Sequence, residues 1–358
     1  MTDKNHPDET VLTIVQGKGT LPREQAGRNI HYDDASLSNY KMVQKGDFII
    51  HLRSFEGGLE MANENGIVSP AYTILRGKKP HSSRFYEAYF HTDEFVNHVL
   101  SKSVEGIRDG RQISYDAFKW LGLPYCSPSE QAKIAELFSV LTKRIEKQTV
   151  LVDSLKKYKR GAIDGLLSRK LHFQTTSSWR EMKISELFSP ISEKGYDNLT
   201  VLTIVQGVGT QPRESVERRI SYDKSNTNTY KRVLENDFIL HLRSFEGGLE
   251  IANSEGIVSP AYTILRAKEQ IIPLFYYAYF RSYWFISNKL RIAVEGIRDG
   301  KSINMETFWN IVVPYPPIEE QKHIAEYLLC LDTKLKKAEA ILDRLKAIKN
   351  GFSQQLFI

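Results

Sequence analysis

The feature that most constrains this 358-residue sequence is an internal duplication with a constant offset of 190 residues. The stretches TVLTIVQG, HLRSFEGGLE, GIVSPAYTILR and VEGIRDG each occur twice. They begin at positions 10, 51, 66 and 104, and they return without a gap at 200, 241, 256 and 294. Because one unit is present twice rather than many times, the pattern predicts two copies of one fold and not a solenoid array.

The first part of each copy has the pattern of a compact mixed α/β domain. The runs VLTIVQG, DFIIHLRSF and AYTILR are apolar or alternating and are bounded by turn residues, which predicts short strands. Residues 85–101 and their counterparts at 275–291 carry aromatic side chains three and four positions apart. This spacing predicts one helix in each copy.

The second part of each copy is a long amphipathic pattern. Proline and acidic residues mark its two starts, PSEQ and PIEEQ, where they suit the positive end of a helix dipole. We therefore expect two long helices that bury coiled-coil-like seams. The seam residues are Ile134, Phe138, Leu141, Ile145, Val152 and Leu155 in the first helix, and Ile324, Leu328, Leu331, Leu335, Ala338, Leu342 and Leu345 in the second.

These patterns divide the chain into four segments. Globular domains are expected at 1–127 and, with the Ser/Thr-rich linker HFQTTSSW, at 173–316, and long helices are expected at 128–172 and 317–358. The fold class is therefore α/β, in the α+β sense, with two mixed domains and two long helices.

The two halves of the chain differ in one respect. Met1 aligns with Ile191, so the stretch Ser168–Pro190 has no counterpart ahead of the first domain. We therefore expect the first domain to lack a leading segment that the second domain possesses.

Charge and cysteine content narrow the class of protein. The net charge of +6 is compatible with a polyanionic partner without proving one. Cys126 and Cys330 belong to no CxxC pair, which argues against a disulfide framework or zinc site and fits a reducing compartment. The polar N-terminus and the lack of an apolar run of about eighteen residues argue against secretion and membrane insertion. We expect a cytoplasmic protein.

The order of the segments and their local amino-acid sequences resemble those of the specificity subunits of type I restriction–modification systems. The resemblance lies in the helix starts PSEQAKIAELF and PIEEQKHIAEYL and in the helix ends KKYKRGAIDGLLSRKLHF and KAIKNGFSQQLF. It extends to the opening WREMKISELF of the second domain and to the block RSFEGGLE…GIVSPAYTIL, and it covers nearly the whole chain. It implies two target recognition domains, a pseudo-twofold axis and two antiparallel spacer helices.

The resemblance also implies a function without catalysis in this chain. Each recognition domain would read one half of a bipartite site in double-stranded DNA. Because the repeated blocks are identical, the two half-sites should be near-palindromic. Two modification subunits would carry S-adenosylmethionine, and restriction subunits would bring ATP and Mg, so that this chain itself would hold no cofactor.

Basic residues beside turns are the candidates for DNA contact. An Arg-Ser pair closes the HLRSF strand in each copy, where arginine suits guanine and serine suits a base or a phosphate. The alternative is a surface ion pair between that arginine and the glutamate of the EGG turn. The RDGR and RDGK turns suit phosphates, with plain solvated turns as the alternative. The candidates are Lys18, Arg23, Lys41, Arg53, Ser54, Arg108, Arg111, Arg213, Lys231, Arg243, Ser244, Arg298 and Lys301.

No catalytic motif is evident in the sequence. VPYPPIEE at 313–320 lacks the Asn or Asp that holds a target amine in methyltransferases, and it predicts a pre-helix turn. Neither a GxxxxGK[ST] phosphate loop nor a Cys/His metal constellation occurs. His51 and His241 lie on apolar strands, which favours a structural role.

Three interpretations stay open at this point. The EGG glycines favour a tight turn or bulge, with close approach of the backbone to DNA as the alternative. The basic run KKYKR at 156–160 favours a solvated face, with a partner subunit or phosphates as the alternative. The chain as a whole could instead serve a methylase-only system, or it could be a coiled-coil scaffold that pairs two protein-binding domains. A scaffold would show no salt-sensitive DNA binding.

Overall fold

The computed structural model describes residues 3–25, 34–50, 58–106, 112–171, 178–216, 224–241, 248–296 and 301–357. The chain forms two compact units. Unit 1 comprises residues 1–151 and 338–358, and unit 2 comprises residues 152–337. Each unit therefore contains one globular domain together with one end of each long helix.

The domain of unit 1 is built from short antiparallel strands and short helices. The elements are β1 (Leu12–Val15), β2 (Gly19–Pro22), β3 (Lys41–Val43), β4 (Phe48–Ile50), β5 (Glu60–Met61), β6 (Gly66–Val68), β7 (Thr73–Leu75), α1 (Ser83–Phe90), β8 (Val104–Glu105), β9 (Gln112–Ile113), α2 (Tyr115–Phe118) and the long helix α3 (Pro128–Leu167). Strands β1 and β2, β3 and β6, and β8 and β9 form two-stranded sheets, and a three-stranded sheet has the order β5-β4-β7.

The domain of unit 2 repeats this order and adds a leading segment. The leading segment comprises β10 (Arg180–Lys183), α4 (Ile184–Leu187) and β11 (Phe188–Ile191). The repeated elements are β12 (Leu202–Val205), β13 (Gly209–Pro212), β14 (Lys231–Val233), β15 (Phe238–His241), β16 (Glu250–Ile251), β17 (Gly256–Val258), β18 (Tyr262–Ala267), α5 (Pro273–Phe280), α6 (Tyr283–Asn288), β19 (Val294–Glu295), β20 (Ser302–Ile303), α7 (Met305–Trp309), β21 (Val312–Tyr315) and the long helix α8 (Ile318–Leu356).

Each domain packs around a cluster of aromatic side chains. In unit 1 the rings of Phe48, Phe85, Phe90 and Phe95 are almost fully buried, and Phe357 from the end of α8 joins them. In unit 2 the corresponding cluster is equally buried, and it includes Ile324 and Leu328 from the start of α8 and Leu166 from the end of α3. Burying one such side chain contributes roughly 1.5–3 kcal/mol, so these clusters attach the helix ends firmly to the domains.

The prediction of one unbroken helix at 85–101 is wrong, because the helix is interrupted after Phe90. Helix α1 stops at Phe90, and a short π-helical turn occupies Glu94–Val99. The Thr92 hydroxyl accepts a hydrogen bond from the amide of Phe95 at 3.1 Å and donates to the Tyr89 carbonyl at 2.7 Å. A hydroxyl at this position ends one helix and starts the next, as Ser282 does between α5 and α6. The aromatic spacing continues across the break and therefore conceals it.

The spacer helices agree with the seam pattern. Phe138, Leu141 and Val152 in α3, and Ile324, Leu328, Leu331, Ala338 and Leu342 in α8, are buried, and the other predicted seam residues are half-buried. Within unit 1 the Gln148 side chain donates to the Ala338 carbonyl at 2.8 Å, and Lys349 Nζ donates to the Thr142 hydroxyl at 3.0 Å. From Thr142 to Gln148 the residue number rises along α3, while the number of the partner residue on α8 falls from Lys349 to Ala338. The two helices are therefore antiparallel in this part of unit 1. Among the described residues, no helix has the length and apolar character needed to cross a membrane.

Candidate nucleic-acid interface

The β1–β2 hairpin of unit 1 carries Lys18 at its exposed tip. A buried carboxylate from β5 holds this tip in place. Glu60 Oε1 accepts a hydrogen bond from the amide of Gly17 at 2.7 Å, and Oε2 accepts one from the amide of Gly19 at 2.9 Å. Charge-assisted hydrogen bonds of this kind are stronger than neutral ones, so the tip has a defined conformation.

The same carboxylate is neutralised by different cations in the two units. His91 Nε2 lies 3.2 Å from Glu60 Oε1 in unit 1. In unit 2 the equivalent Glu250 accepts hydrogen bonds from Arg281 Nη1 at 2.7 and 2.9 Å and from the Tyr277 hydroxyl at 3.0 Å. The pair of unit 1 therefore contains a histidine, whose charge depends on protonation, and the pair of unit 2 contains an arginine in its place.

Burial and hydrogen bonding act against each other at the unit 1 pair. Burial alone would raise the pKa of Glu60, but the hydrogen bonds from His91 and from two backbone amides lower it overall. Burial alone would lower the pKa of His91, but its contacts with Glu60 and with the Glu87 carbonyl raise it. The contact between the two side chains therefore favours the ionised form of each group.

An asparagine completes the attachment of each hairpin. The Asn63 side chain donates to the carbonyls of Lys18 at 2.7 Å and Thr20 at 2.9 Å. Asn253 makes the equivalent bonds to Val208 at 2.8 Å and Thr210 at 3.0 Å. The two hairpin tips thus share one backbone geometry, and they differ mainly in the exposed side chain, Lys18 or Val208.

Glycine is required where the hairpin and β5 approach each other. Gly19 has φ +75°, and a Cβ there would collide with the carbonyl of Met61. Gly58, from the EGG turn, has φ +89°, and a Cβ there would collide with the carbonyl of Phe90. The close backbone approach at Gly58 is made to the protein's own helix end, which supports a turn and does not support the alternative of an approach to DNA. Gly57 lies outside the described residues.

Several predicted DNA-contact residues lie in the described part of the chain. Lys18 and Lys301 are exposed. Lys41 is half-buried and its Nζ donates to the Tyr72 carbonyl at 2.6 Å; Lys231 donates to the Tyr262 carbonyl at the same distance. Burial, and then the neighbouring charge of Lys4, lowers the pKa of Lys41, and Lys231 behaves alike beside Lys194. Lys41 therefore attaches β3 to the loop before β7, and Lys231 attaches β14 to the first residue of β18.

Arg23 and Arg213 are half-buried just after the second strand of each hairpin. Burial raises the pKa of Tyr72, and the nearby charge of Arg23 opposes that rise; Arg213 acts in the same way on Tyr262. These arginines lie at the base of the hairpins. The remaining candidates, Arg53, Ser54, Arg108, Arg111, Arg243, Ser244 and Arg298, lie outside the described residues, as does His51.

The described residues on either side of two of these segments have defined packing. Residues 51–57 join β4 to Gly58, which packs on the end of α1, and to Glu60, which holds the hairpin tip. Residues 107–111 join the paired strands β8 and β9. His241, by contrast, packs its ring 5.2 Å from that of Tyr262, consistent with a structural role.

Two glutamines have a role that the sequence patterns did not reveal. Gln131 in the first turn of α3 is fully buried, accepts a hydrogen bond from the Ser82 amide at 2.8 Å and donates to the Cys126 carbonyl at 2.9 Å. Gln321 makes the same pair of bonds to Ile272 and Pro316 at 2.9 and 2.8 Å. The polar residue of the EQ motif thus attaches each long helix to its domain. The repetition of this glutamine at both helix starts is the sequence signal that could have indicated the role.

Three residues of the basic run KKYKR make contacts within unit 2. The hydroxyl groups of Tyr158 and Tyr327 are 2.7 Å apart, Lys159 pairs with Asp332, and the Arg160 guanidinium lies 5.3 Å from the Tyr283 ring. Four of the five residues are nevertheless exposed, so the run lies on a solvated face, and the alternative of a partner subunit or phosphates stays a prediction. Across the described ranges, no group of three or more His, Cys, Asp or Glu residues is arranged to hold a metal ion.

Comparison with known proteins adds three observations. Residues 177–347 match the family model described as the type I restriction modification DNA specificity domain. The putative type I restriction enzyme MjaX specificity subunit of Methanocaldococcus jannaschii is 22% identical, over 96% of this chain and 85% of that protein. The MjaVIII specificity subunit of the same organism is 29% identical, over 37% of this chain and 30% of that protein.

A solved structure shares the fold. The crystal structure of the type I restriction–modification S subunit from M. genitalium aligns with a TM-score of 0.57. The alignment covers 98% of this chain and 94% of that chain at 16% sequence identity. The two mixed domains and the two long helices therefore agree with the fold class expected from the sequence.

Proposed function

The chain belongs to the type I restriction–modification specificity subunits, and from this premise we propose that it reads a bipartite DNA site as the recognition subunit of a larger complex. The family model covers residues 177–347, and several sequence blocks within this range recur 190 residues earlier, in the first half of the chain. Specificity subunits are not the catalytic members of such systems. This chain therefore selects the DNA site, and other subunits perform the chemistry.

The observation that carries the proposal is the repetition of one hairpin geometry. In both units a buried glutamate, Glu60 or Glu250, holds a hairpin turn through its first glycine amide. In both units the sequences that flank this glutamate, HLRSFEGGLE and GIVSPAYTILR, are identical. Identical surfaces select identical bases, so the two half-sites should be near-palindromic.

The partners and cofactors follow from the same premise. Two modification subunits would dock on the chain and supply S-adenosylmethionine for adenine methylation. Restriction subunits would supply ATP-driven translocation and cleavage with Mg. The chain itself needs no cofactor for this role.

The test is to express the chain with its modification subunit in a host free of DNA methylation and to map modified adenines across the genome. We expect methylation at one gapped, near-palindromic motif, and none with either protein alone. Methyl transfer by the purified chain alone would contradict a purely recognising role. The absence of any sequence-dependent methylation, together with DNA binding that salt does not weaken, would favour the scaffold instead.

A further inference from the structure

The two copies of the duplicated unit differ in the chemistry of one surface. In unit 2 this surface has three exposed apolar side chains, Leu274 (45% exposed), Tyr283 (61%) and Leu329 (52%). The residues 190 positions earlier are Arg84, Asp93 and Ser139. Each apolar side chain of the surface in unit 2 therefore has a polar counterpart in unit 1.

The three apolar side chains of unit 2 border one region of its fold. In unit 1 all three polar counterparts line a single open cleft beside α1 and the long helices. Unit 2 repeats the order of these elements, so its apolar side chains surround the equivalent position. The Arg160 guanidinium of α3 lies 5.3 Å from the Tyr283 ring, and the adjacent Lys159 pairs with Asp332, one helical turn from Leu329. These contacts join α3, α6 and α8 around the surface.

Three cations accompany the apolar side chains, and in the described part of the chain none of them has a carboxylate oxygen within 4.0 Å. They are Arg160, Lys289 and Arg291. Arg160 and Lys289 lie instead over aromatic rings, at 5.3 Å from Tyr283 and 5.4 Å from Trp284. The equivalent residues of unit 1 carry no charge; they are Asn350, Val99 and Ser101. The apolar side chains and the cations without carboxylate partners are therefore features of unit 2 alone at these positions.

The composition of this surface indicates the chemistry of its partner. Exposed apolar side chains that are grouped together, with tyrosine and arginine among them, are typical of protein–protein interfaces. Duplex DNA would satisfy the cations through its phosphates, but its charged backbone offers the leucine side chains little apolar surface. A second copy of the same surface would bring like charges together. A polypeptide with apolar side chains beside carboxylates satisfies both parts of the surface.

We propose that this surface, called here the α5–α6 surface, is a docking site for an acidic amphipathic segment of a partner polypeptide. The α5–α6 surface comprises Arg160, Leu274, Tyr283, Lys289, Arg291 and Leu329. Its apolar side chains bury those of the segment, and its cations pair with the carboxylates of the segment. Because the equivalent residues of unit 1 are polar or uncharged, one segment binds to each chain. This docking goes beyond the reading of DNA and does not depend on it.

The probe for the test is a fluorescein-labelled synthetic peptide in which leucine recurs at three- and four-residue steps and glutamate and alanine fill the other positions. We expect saturable binding to the full chain, with one peptide per chain, by fluorescence anisotropy. Binding should weaken as the salt concentration rises, because the ion pairs at the surface are screened. A control peptide with lysine in place of each glutamate should bind at least about tenfold more weakly, since it brings like charges to the surface.

Substitutions that copy unit 1 provide matched variants of the chain. A triple variant with Leu274→Arg, Tyr283→Asp and Leu329→Ser carries side chains that unit 1 already has at the same positions, so the fold should be retained. Thermal melting followed by circular dichroism checks this. The triple variant should bind the peptide at least about tenfold more weakly, because the apolar contact area is lost. Arg160→Asn together with Arg291→Ser should flatten the dependence of peptide binding on salt.

The control for the site is Val150→Glu, at an exposed apolar position on α3 in unit 1, which should leave peptide binding unchanged. The proposal would be overturned by a lack of saturable binding, by two peptides per chain, or by a triple variant that binds as the wild type does. Displacement of the peptide by duplex DNA of unrelated sequence, with weaker DNA binding by the variant of Arg160 and Arg291, would assign the surface to DNA instead. Self-association in sedimentation that the triple variant abolishes would assign it to a second copy of the chain.

Discussion

Glu60 and Glu250 occupy equivalent buried positions, and the difference between their cations gives the two units different responses to pH. His91 has a raised pKa beside Glu60, so its stabilising contribution is complete below its unfolded value, about 6.5, and is lost as the pH rises through the folded value. Glu60 has a lowered pKa, so its contribution is present above about 4.5 and is lost only in acid. In unit 2 an arginine, Arg281, takes the place of this histidine.

The hairpin of unit 1 should therefore loosen above neutral pH while that of unit 2 does not. We expect the protection factors of the Gly17 and Gly19 amides in hydrogen exchange to fall between pH 6 and pH 8.5, with the Gly207 amide as the internal reference. His91→Arg, which copies unit 2, should remove this fall. The neighbouring groups Glu87, Arg84 and Lys349 are unchanged by that substitution, so a fall that persists would assign the effect to one of them.

The hairpin tips offer a matched pair for measuring one phosphate contact. Lys18 and Val208 occupy the same backbone geometry, and both side chains are exposed. If the tips face DNA, Lys18→Val should reduce the slope of log K against log salt by about 0.9, and Val208→Lys should increase it by a similar amount. The measurement is DNA binding by the assembled complex over a series of salt concentrations. An unchanged slope in both variants would mean that the tips contact protein or solvent.

The arginines of the two repeated turns should separate base reading from phosphate contact. Arg53→Ala is expected to relax discrimination at one half-site by about 1–3 kcal/mol, and Arg243→Ala at the other, because arginine suits guanine in the major groove. Arg108→Ala and Arg298→Ala should weaken binding to all sequences alike and flatten the salt dependence. Affinities for single-base variants of the mapped motif give the comparison. Uniform loss in the Arg53 variant would indicate a phosphate contact or a folding role.

At the scale of elements, Gln131 and Gln321 determine how the long helices leave the domains. Each glutamine makes two hydrogen bonds from a fully buried side chain. Removing such a residue leaves buried backbone groups unsatisfied, which costs about 1–3 kcal/mol for each group.

Gln131→Ala should therefore lower the thermal stability of unit 1, and Gln321→Ala that of unit 2. Gln354→Ala, at an exposed position near the end of α8, is the control and should have little effect. Differential scanning calorimetry and proteolysis at the helix starts provide the readouts. Equal stability of the wild type and Gln131→Ala would show that water replaces the side chain at this point.

The periodicity of the sequence predicted the spacer helices and the strands in the runs VLTIVQG, DFIIHLRSF and AYTILR, because burial imposes a period on each element. The other strands of each domain were not predicted. It placed the helix starts within a residue or two, at Pro128 and Ile318. The break at Thr92 was missed because a single hydroxyl acts on two neighbouring turns while the aromatic spacing continues. The hairpin anchor at Glu60 was missed because its partners, Gly17 and Gly19, are more than forty positions away in sequence. Contacts of that range depend on how strands pair, which local patterns do not specify.

At the scale of the whole molecule, the duplication predicts a nearly symmetric DNA site, and the largest difference between the copies lies in one segment. The blocks HLRSFEGGLE, GIVSPAYTILR and VEGIRDG are identical in the two copies, whereas residues 24–38 differ at many positions from residues 214–228. If the variable segment reads bases, the half-sites should agree except where it makes contact.

A hybrid chain in which residues 24–38 carry the sequence of residues 214–228 should therefore direct methylation to a palindromic motif. Both recognition domains would then carry the same variable segment beside the same repeated blocks, so they should read the same bases. The reciprocal hybrid should give a second palindrome built on the other half-site, with a spacer of the same length. Mapping modified adenines for the wild type and both hybrids, each with the modification subunit, distinguishes the outcomes. A motif that neither hybrid alters would show that the segment does not read bases. Two unrelated half-sites in the wild type would show instead that the identical blocks maintain the fold and that the variable segment carries the specificity.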